Sequence, residues 1–291
     1  MKIYLAKYRG FCNGVKRSIH LTQKAREEIS GTINILNEIV HNLTVIKRLK
    51  SWGLGQIRDL KDAKEGTLII SAHGIPPEVI KKAQAKGLNV IDTTCPLVKL
   101  IHRIVKNLTD DGYVVVLFGD SGHDEVKGIQ GVAPDNIHLL SSANDVDTLP
   151  DFDKPVAFIS QSTQSYDDFL VTADKMKKRF NNCLVKNTIC KATIRRQEAI
   201  KKLVSLVDLV FVIGSYNSAN SQRLVQIAEK LGTKSHLLDK AEELNPKWIE
   251  GIENLGITSG ASTPETLVDE VLKKIMELAE IKGISAKLIE V

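Results

Sequence analysis

Short apolar runs alternate with amphipathic helical stretches along most of this chain, and nothing else in the sequence restricts its fold so strongly. Strand-like runs occur at 67–71, 114–118, 156–160, 209–213 and 256–258. Between them Val15, Ile19, Thr22 and Ile29 recur with helical spacing, as do Leu97, Ile101, Ile104, Val105 and Leu108. Short apolar strands separated by helices predict parallel sheets covered on both faces. The 291 residues have room for one large domain or a few small ones. No low-complexity linker interrupts them, so any lobes pack closely.

Three of the four cysteines occupy similar places in this pattern. Cys12 stands in Tyr-Arg-Gly-Phe-Cys-Asn-Gly-Val, Cys95 in Val-Ile-Asp-Thr-Thr-Cys-Pro-Leu-Val and Cys190 in Leu-Val-Lys-Asn-Thr-Ile-Cys-Lys-Ala-Thr. Each follows a β-rich run and precedes an amphipathic helical stretch, at comparable spacing along the chain. The regularity suggests three αβ lobes, with boundaries near residues 95 and 190. The first lobe, 1–95, includes the N-terminal strand; the second is 96–189; the third is 190–291 with a C-terminal tail. Three thiolates meeting at one centre would hold a metal or an iron–sulfur cluster with one position open. The competing reading is that a free cysteine is a small buried hydrophobe, which suits Cys183 in its plain strand-like run. Zinc, closed by three thiolates and a histidine, is the rival metal, yet no close pair of cysteines marks a zinc site.

Several predicted strands end in polar clusters, where open α/β sheets bind ligands. His41, His73 and His123 sit beside turn formers at such ends and suit an anion; His20, His102, His138 and His236 read as structural. Glu125 follows His123 by two residues, so on an extended loop both side chains point the same way. Screened from water, Glu125 would deliver protons; exposed, it is an ordinary helix-start carboxylate. The segments 160–165, 217–221 and 260–265 are rich in hydroxyls and amides. They read either as helix caps or as a diphosphate cradle, which share one geometry.

The net charge of +5 is mild and spread out, and aromatics make up 5% of residues, so nothing resembles a nucleic-acid platform. No apolar run reaches the length of a membrane span, and the start reads as a strand rather than a signal peptide. A cytoplasmic enzyme without nucleic-acid or membrane partners is the expectation.

Taken in order, Gly10-Phe11-Cys12-Asn13-Gly14-Val15, Ile39-Val40-His41-Asn42, Ser71-Ala72-His73-Gly74, Asp92-Thr93-Thr94-Cys95-Pro96-Leu97-Val98 and Gly122-His123-Asp124-Glu125-Val126 resemble one family. So do Asn187-Thr188-Ile189-Cys190-Lys191-Ala192-Thr193, Arg196-Gln197, Gly214-Ser215-Tyr216-Asn217-Ser218 and Thr258-Ser259-Gly260-Ala261-Ser262-Thr263-Pro264. That family is the 4-hydroxy-3-methylbut-2-enyl diphosphate reductases, and the match runs from about residue 10 to about residue 270. The resemblance implies an α/β fold of three similar lobes around a central [4Fe–4S] cluster held by Cys12, Cys95 and Cys190. It implies a diphosphate gripped by His41, His73, His123, Ser218, Asn220 and Ser262, with contacts from Ser162, Thr163 and position 219. It also implies protons from Glu125 through Ser162, with His123 nearby, and electrons from a ferredoxin or flavodoxin. The reaction implied is reductive removal of the substrate hydroxyl, giving isopentenyl and dimethylallyl diphosphate. Two positions depart from the family pattern: Ser162 stands where threonine is usual, and Ala219 replaces a serine. A non-catalytic iron–sulfur carrier, with Cys183 as fourth ligand, and a zinc-dependent hydrolase are the alternatives.

Overall fold

In a computed structural model all 291 residues are described. The first third of the chain forms β1 (Lys2–Leu5), α1 (Asn13–Glu28), β2 (Ile33–Leu36), α2 (Leu43–Ser51), β3 (Gly55–Ile57), β4 (Thr67–Ile70), α3 (Pro77–Ala85) and β5 (Asn89–Asp92). The middle forms α4 (Pro96–Asp110), β6 (Val114–Phe118), α5 (Asp124–Gln130), β7 (Ile137–Leu140), β8 (Val156–Ser160), α6 (Tyr166–Arg179) and β9 (Leu184–Val185). The last part forms α7 (Lys191–Val204), β10 (Leu209–Ile213), α8 (Ala219–Lys230), β11 (Lys234–Leu238), β12 (Asn254–Ser259), α9 (Glu265–Ile281) and β13 (Lys287–Glu290).

The strands make three sheets in which every pair is parallel. Their orders are β3-β2-β4-β5, β7-β6-β8-β9 and β11-β10-β12-β1-β13. The central strands β4, β6, β8 and β10 are buried along their whole length, which explains why they read as unbroken apolar runs. Proline at the first turn of α3 and α4 starts those helices where no N–H is needed. Serine caps do the same for α6 and α8, with Ser165 and Ser218 accepting from Asp168 N and Ser221 N.

By compactness the chain divides into two units. One is built from Met1–Cys12, His41–Val45 and Lys191–Val291. Its five-stranded sheet is covered on one face by α9, through Leu267, Val268, Val271 and Ile275. On the other face Ile200, Leu203, Leu224 and Ala228 of α7 and α8 pack on Val210 and Val212. The other unit comprises Asn13–Val40 and Ile46–Cys190 and holds both four-stranded sheets. There Ile101, Val105 and Leu108 of α4 pack with Val115, Leu117, Ala157 and Ile159.

The N-terminal strand, expected in the lobe of residues 1–95, has its sheet partners elsewhere in the sequence. β1 pairs with β12 on one side and β13 on the other, Ile3 opposite Leu255 and Leu288. The expected C-terminal tail is therefore an edge strand. All three sheets share one plan once this is seen. A first strand (β2, β6, β10) lies between the second (β3, β7, β11) and the third (β4, β8, β12), and a fourth follows (β5, β9, β1). In the last sheet that fourth strand is supplied from the opposite end of the chain.

Candidate active site

Each of Cys12, Cys95 and Cys190 stands just past the fourth strand of its sheet and immediately before a helix, α1, α4 and α7 respectively. Each backbone N–H is tied to a carbonyl in the loop that leaves the third strand. Cys12 N donates to Ala261 O at 3.0 Å, Cys95 N to Ala72 O at 3.0 Å and Cys190 N to Ser162 O at 2.9 Å. None of the three is in a disulfide, and all are partly exposed. A helix N-terminus carries partial positive charge, so this location suits a thiolate ligand. Buried Arg196 of α7 supports the Cys12 loop from below, donating to Gly10 O at 2.6 Å and to Ala192 O at 3.1 Å. Cys183 is built differently. It lies just before β9 rather than within a strand, after a turn in which Asn182 takes φ 59°, and burial pushes its thiol up to about 11.

Glu125 is not on an extended loop. His123 caps α5, its Nδ1 accepting from Glu125 N at 3.1 Å, and Glu125 lies in the first turn. Even so, the carboxyl is only 2% exposed, which an ordinary helix-start carboxylate is not. Ser162 meets it twice: the backbone N–H donates to Oε1 at 2.6 Å and Oγ donates to Oε2 at 2.7 Å. Desolvation raises the Glu125 pKa, the two Ser162 bonds oppose that rise, and Asp120 adds to it. A carboxyl that resists ionisation and shares a hydroxyl is equipped to hold and pass a proton. Because His123 Nδ1 accepts, the neutral ring carries its proton on Nε2 and presents a donor there. His73 lies edge-on to it, ring centroids 5.4 Å apart.

Two glutamines not singled out in the sequence hold this arrangement. Gln161 Oε1 accepts from Asp120 N at 2.8 Å, and Gln164 Nε2 donates to Asp120 Oδ1 at 2.9 Å. They lock the loop after β8 to the loop after β6. Gln161 Nε2 also donates to Thr163 Oγ1 at 2.9 Å, orienting that hydroxyl.

A second polar group lies within the other unit. Ser218 caps α8, with Ala219 and Asn220 as its first residues. Ser262 Oγ lies 3.4 Å from Ser218 Oγ and donates to His41 O at 3.0 Å. Asn220 Nδ2 and Asn42 Nδ2 are both buried amides with no hydrogen-bond partner. A buried donor left unmade costs about 1–3 kcal/mol. Asn42 precedes α2 and Asn220 lies in the first turn of α8, and amide donors at helix starts suit an anion. Asn42 was missed as a candidate; the signal was its position beside His41.

A family model described as "LytB protein" matches residues 3–276. The chain belongs to the LytB family. A LytB-family protein of Geotalea daltonii, named 4-hydroxy-3-methylbut-2-enyl diphosphate reductase, is 39% identical over 97% of this chain and 100% of its own length. A protein of the same name from Aromatoleum aromaticum is 40% identical, covering 95% of this chain and 90% of its own. Among solved structures, the E-1-hydroxy-2-methyl-but-2-enyl-4-diphosphate reductase of Plasmodium falciparum superposes with a TM-score of 0.93 at 33% identity, covering 99% of this chain and 92% of that one. A structure described as that of the terminal enzyme of the non-mevalonate pathway is 37% identical with a TM-score of 0.68, covering 95% and 99%. This LytB-family chain is thus an enzyme of the reductase class with a three-sheet α/β fold. No helix is long and apolar enough to cross a membrane. The donor chemistry also fits a metal group: three thiols outside any disulfide, each anchored at a helix start, are soft ligands of the kind iron–sulfur centres use.

Proposed function

We propose that this chain reductively dehydroxylates (E)-4-hydroxy-3-methylbut-2-enyl diphosphate to isopentenyl and dimethylallyl diphosphate, the activity its relatives are named for. The buried pair of Glu125 and Ser162 is the observation that carries the reading. The reaction consumes two electrons and two protons. The allylic C–O bond breaks, the oxygen leaves as water, and carbon gains a proton at either end of the allyl unit. Cys12, Cys95 and Cys190 would hold a [4Fe–4S] cluster, which would supply electrons and Lewis acidity toward the leaving oxygen. The electrons come from a ferredoxin or flavodoxin in the cytoplasm.

Protonated Glu125 donates to Ser162 Oγ, which frees the hydroxyl proton for the leaving oxygen; hydroxide then departs as water. Gln161 and Gln164 keep that pair in register. The diphosphate is bound by His41, His73 and His123, by Thr163, Ser218, Asn220 and Ser262, and by the N–H of Ala219. Those remote contacts position the allylic carbon. Ser162 keeps the hydroxyl the relay requires, and Ala219 keeps the backbone donor.

The test is protein purified without oxygen. About four irons per chain, a spectrum perturbed by substrate, and turnover lost in Glu125→Gln with the iron retained support the reading. A zinc-loaded, colourless protein after cluster reconstitution sinks it. The electron-carrier reading needs Cys183 as a ligand, and a thiol held near 11 by burial is poorly suited to be one.

A further inference from the structure

In the unit built from Asn13–Val40 and Ile46–Cys190, a cavity of about 670 Å³ opens against the end of β2 and the face of α3. None of its lining residues has a part in the reading above. Leu36, Ile75, Pro76 and Val79 form an apolar wall. Arg58, Lys61, Lys82, Lys86 and Lys127 surround it, all of them exposed, against two carboxylates, Asp59 and Asp124. The carboxylates already have company, Asp59 with Lys61 at 3.8 Å and Asp124 with Lys127 at 3.9 Å. Lys86 Nζ reaches only a carbonyl, Leu60 O at 3.1 Å. The lining therefore holds an excess of cations over an apolar floor. A volume of this size lies in the range of organic-ligand pockets, about 300–1,000 Å³.

We propose that this cavity is a second ligand site, taking an organic phosphate or diphosphate whose apolar chain is longer than the five-carbon unit of the substrate. The cations suit the head and the wall suits the chain. The site also adjoins the catalytic loops. Gly74, Ile75 and Pro76 continue directly from His73, while Asp124 and Lys127 lie in α5 with Glu125. These two segments are packed without slack. A Cβ on Gly131 would collide with Pro76, and one on Gly128 would come within 3.4 Å of the Gly74 carbonyl carbon. Close-packed segments transmit a displacement rather than absorb it. A ligand against Pro76 therefore shifts α5, and with it Glu125. This regulatory part rests on the reading under Proposed function; binding at the cavity does not.

Calorimetric titration of the intact holoprotein with farnesyl diphosphate, with the five-carbon substrate already saturating, tests the site. Binding should persist, weaken on the order of tenfold in the double variant Arg58→Glu/Lys82→Glu, and vanish in Val79→Trp. Thermal unfolding and substrate affinity of both variants check that they fold. Inorganic diphosphate alone should bind far more weakly. In steady state, farnesyl diphosphate should change kcat without competing with substrate, and Val79→Trp should remove the effect. Binding abolished by substrate and indifferent to Val79→Trp would place the compound in the substrate site and overturn the proposal. So would association with phosphatidic-acid vesicles but not with free farnesyl diphosphate. A chain that binds as expected yet does not turn over the five-carbon diphosphate keeps this site and loses the functional reading.

Discussion

Three influences compete at Glu125: burial against its charge, two hydrogen bonds from Ser162 in favour of it, and the field of Asp120 against it. Burial is the largest, and the folded pKa is raised. An unfolded glutamate titrates at about 4.3. Below that value both states are protonated and the group is neutral to stability. Above it the unfolded chain releases a proton that the native chain keeps, so stability falls as pH rises through the folded pKa. In Glu125→Gln the amide oxygen can accept from Ser162 N and the amide nitrogen can donate to Ser162 Oγ, without a charge to bury. Thermal unfolding of the two proteins from pH 4 upward should show a difference that widens with pH in favour of the variant. Its turnover should meanwhile fall by about 10²–10⁴, with KM little changed. Unfolding temperatures that run parallel at all pH values would contradict the raised pKa. Among the thiols, Cys95→Ser should lose iron and Cys183→Ser should keep it, measured by metal analysis. Ser218→Ala should raise KM more than it lowers kcat, the pattern of lost remote binding. The equivalent placement of the three cysteines was legible because similar contexts repeat in the sequence. Gln161, Gln164 and Asn42 were not, because an amide announces no chemistry until its partners, or the lack of them, are known.

Elements carried their own signature more faithfully than their faces did. The runs at 114–118, 156–160 and 209–213 are strands to the residue, while 256–258 is the middle of β12. In α4 the apolar spacing found the buried face, with Ile101, Val105 and Leu108 inside. In α1 it did not. The buried residues there are Val15, Ser18, Thr22 and Ala25, whereas Ile19 is half-buried and Ile29 lies past the helix end. Ser18 faces inward because its hydroxyl pairs with Thr93 Oγ1 at 2.6 Å, a bond no periodicity encodes. A second tight contact joins the end of β12 to α8. A Cβ on Gly260 would overlap Ser221 Oγ, while Ser221 Cβ stands 3.3 Å away. Gly260→Ala should cost about 1–3 kcal/mol by overpacking. Ser221 Oγ is buried with no partner, so Gly260→Ala in a Ser221→Ala background should cost much less. Denaturant unfolding of the four proteins reads the coupling, and simple additivity would refute the contact.

At the scale of the whole molecule, three sheets repeat one plan, and so do their loops. His41, His123 and Ser218 stand at the fifth position past the first strand, counted from Leu36, Phe118 and Ile213. His73, Thr163 and Ser262 stand at the third position past the third strand, counted from Ile70, Ser160 and Ser259. The sequence revealed the three-part design through its cysteines but put β1 in the wrong sheet. Apolar pattern identifies a strand without naming its neighbour, and here the neighbours β12 and β13 come from the far end of the chain. Arg9 reinforces that closure, bonded to Glu265 and Glu290 at 2.7 Å each and to Ala6 O at 3.0 Å. Both glutamates are exposed and screened by solvent, so Arg9→Ala should lower stability only slightly. Removing residues 1–5 strips β13 of its one neighbour and β12 of one of its two, and should leave β13 undocked from the sheet. Hydrogen exchange on β12 and β13 would reveal it.

That strand also imposes an order on synthesis. Residues 2–5 leave the ribosome long before the strands that receive them are made. Both four-stranded sheets are complete in sequence by residue 185 and have local partners throughout. Contacts between distant residues form late because a long loop must close first. A nascent chain therefore has the material for both four-stranded sheets while its first strand still waits unpaired. An interrupted chain would expose an apolar N-terminal strand with nothing to cover it, the sort of edge that aggregates.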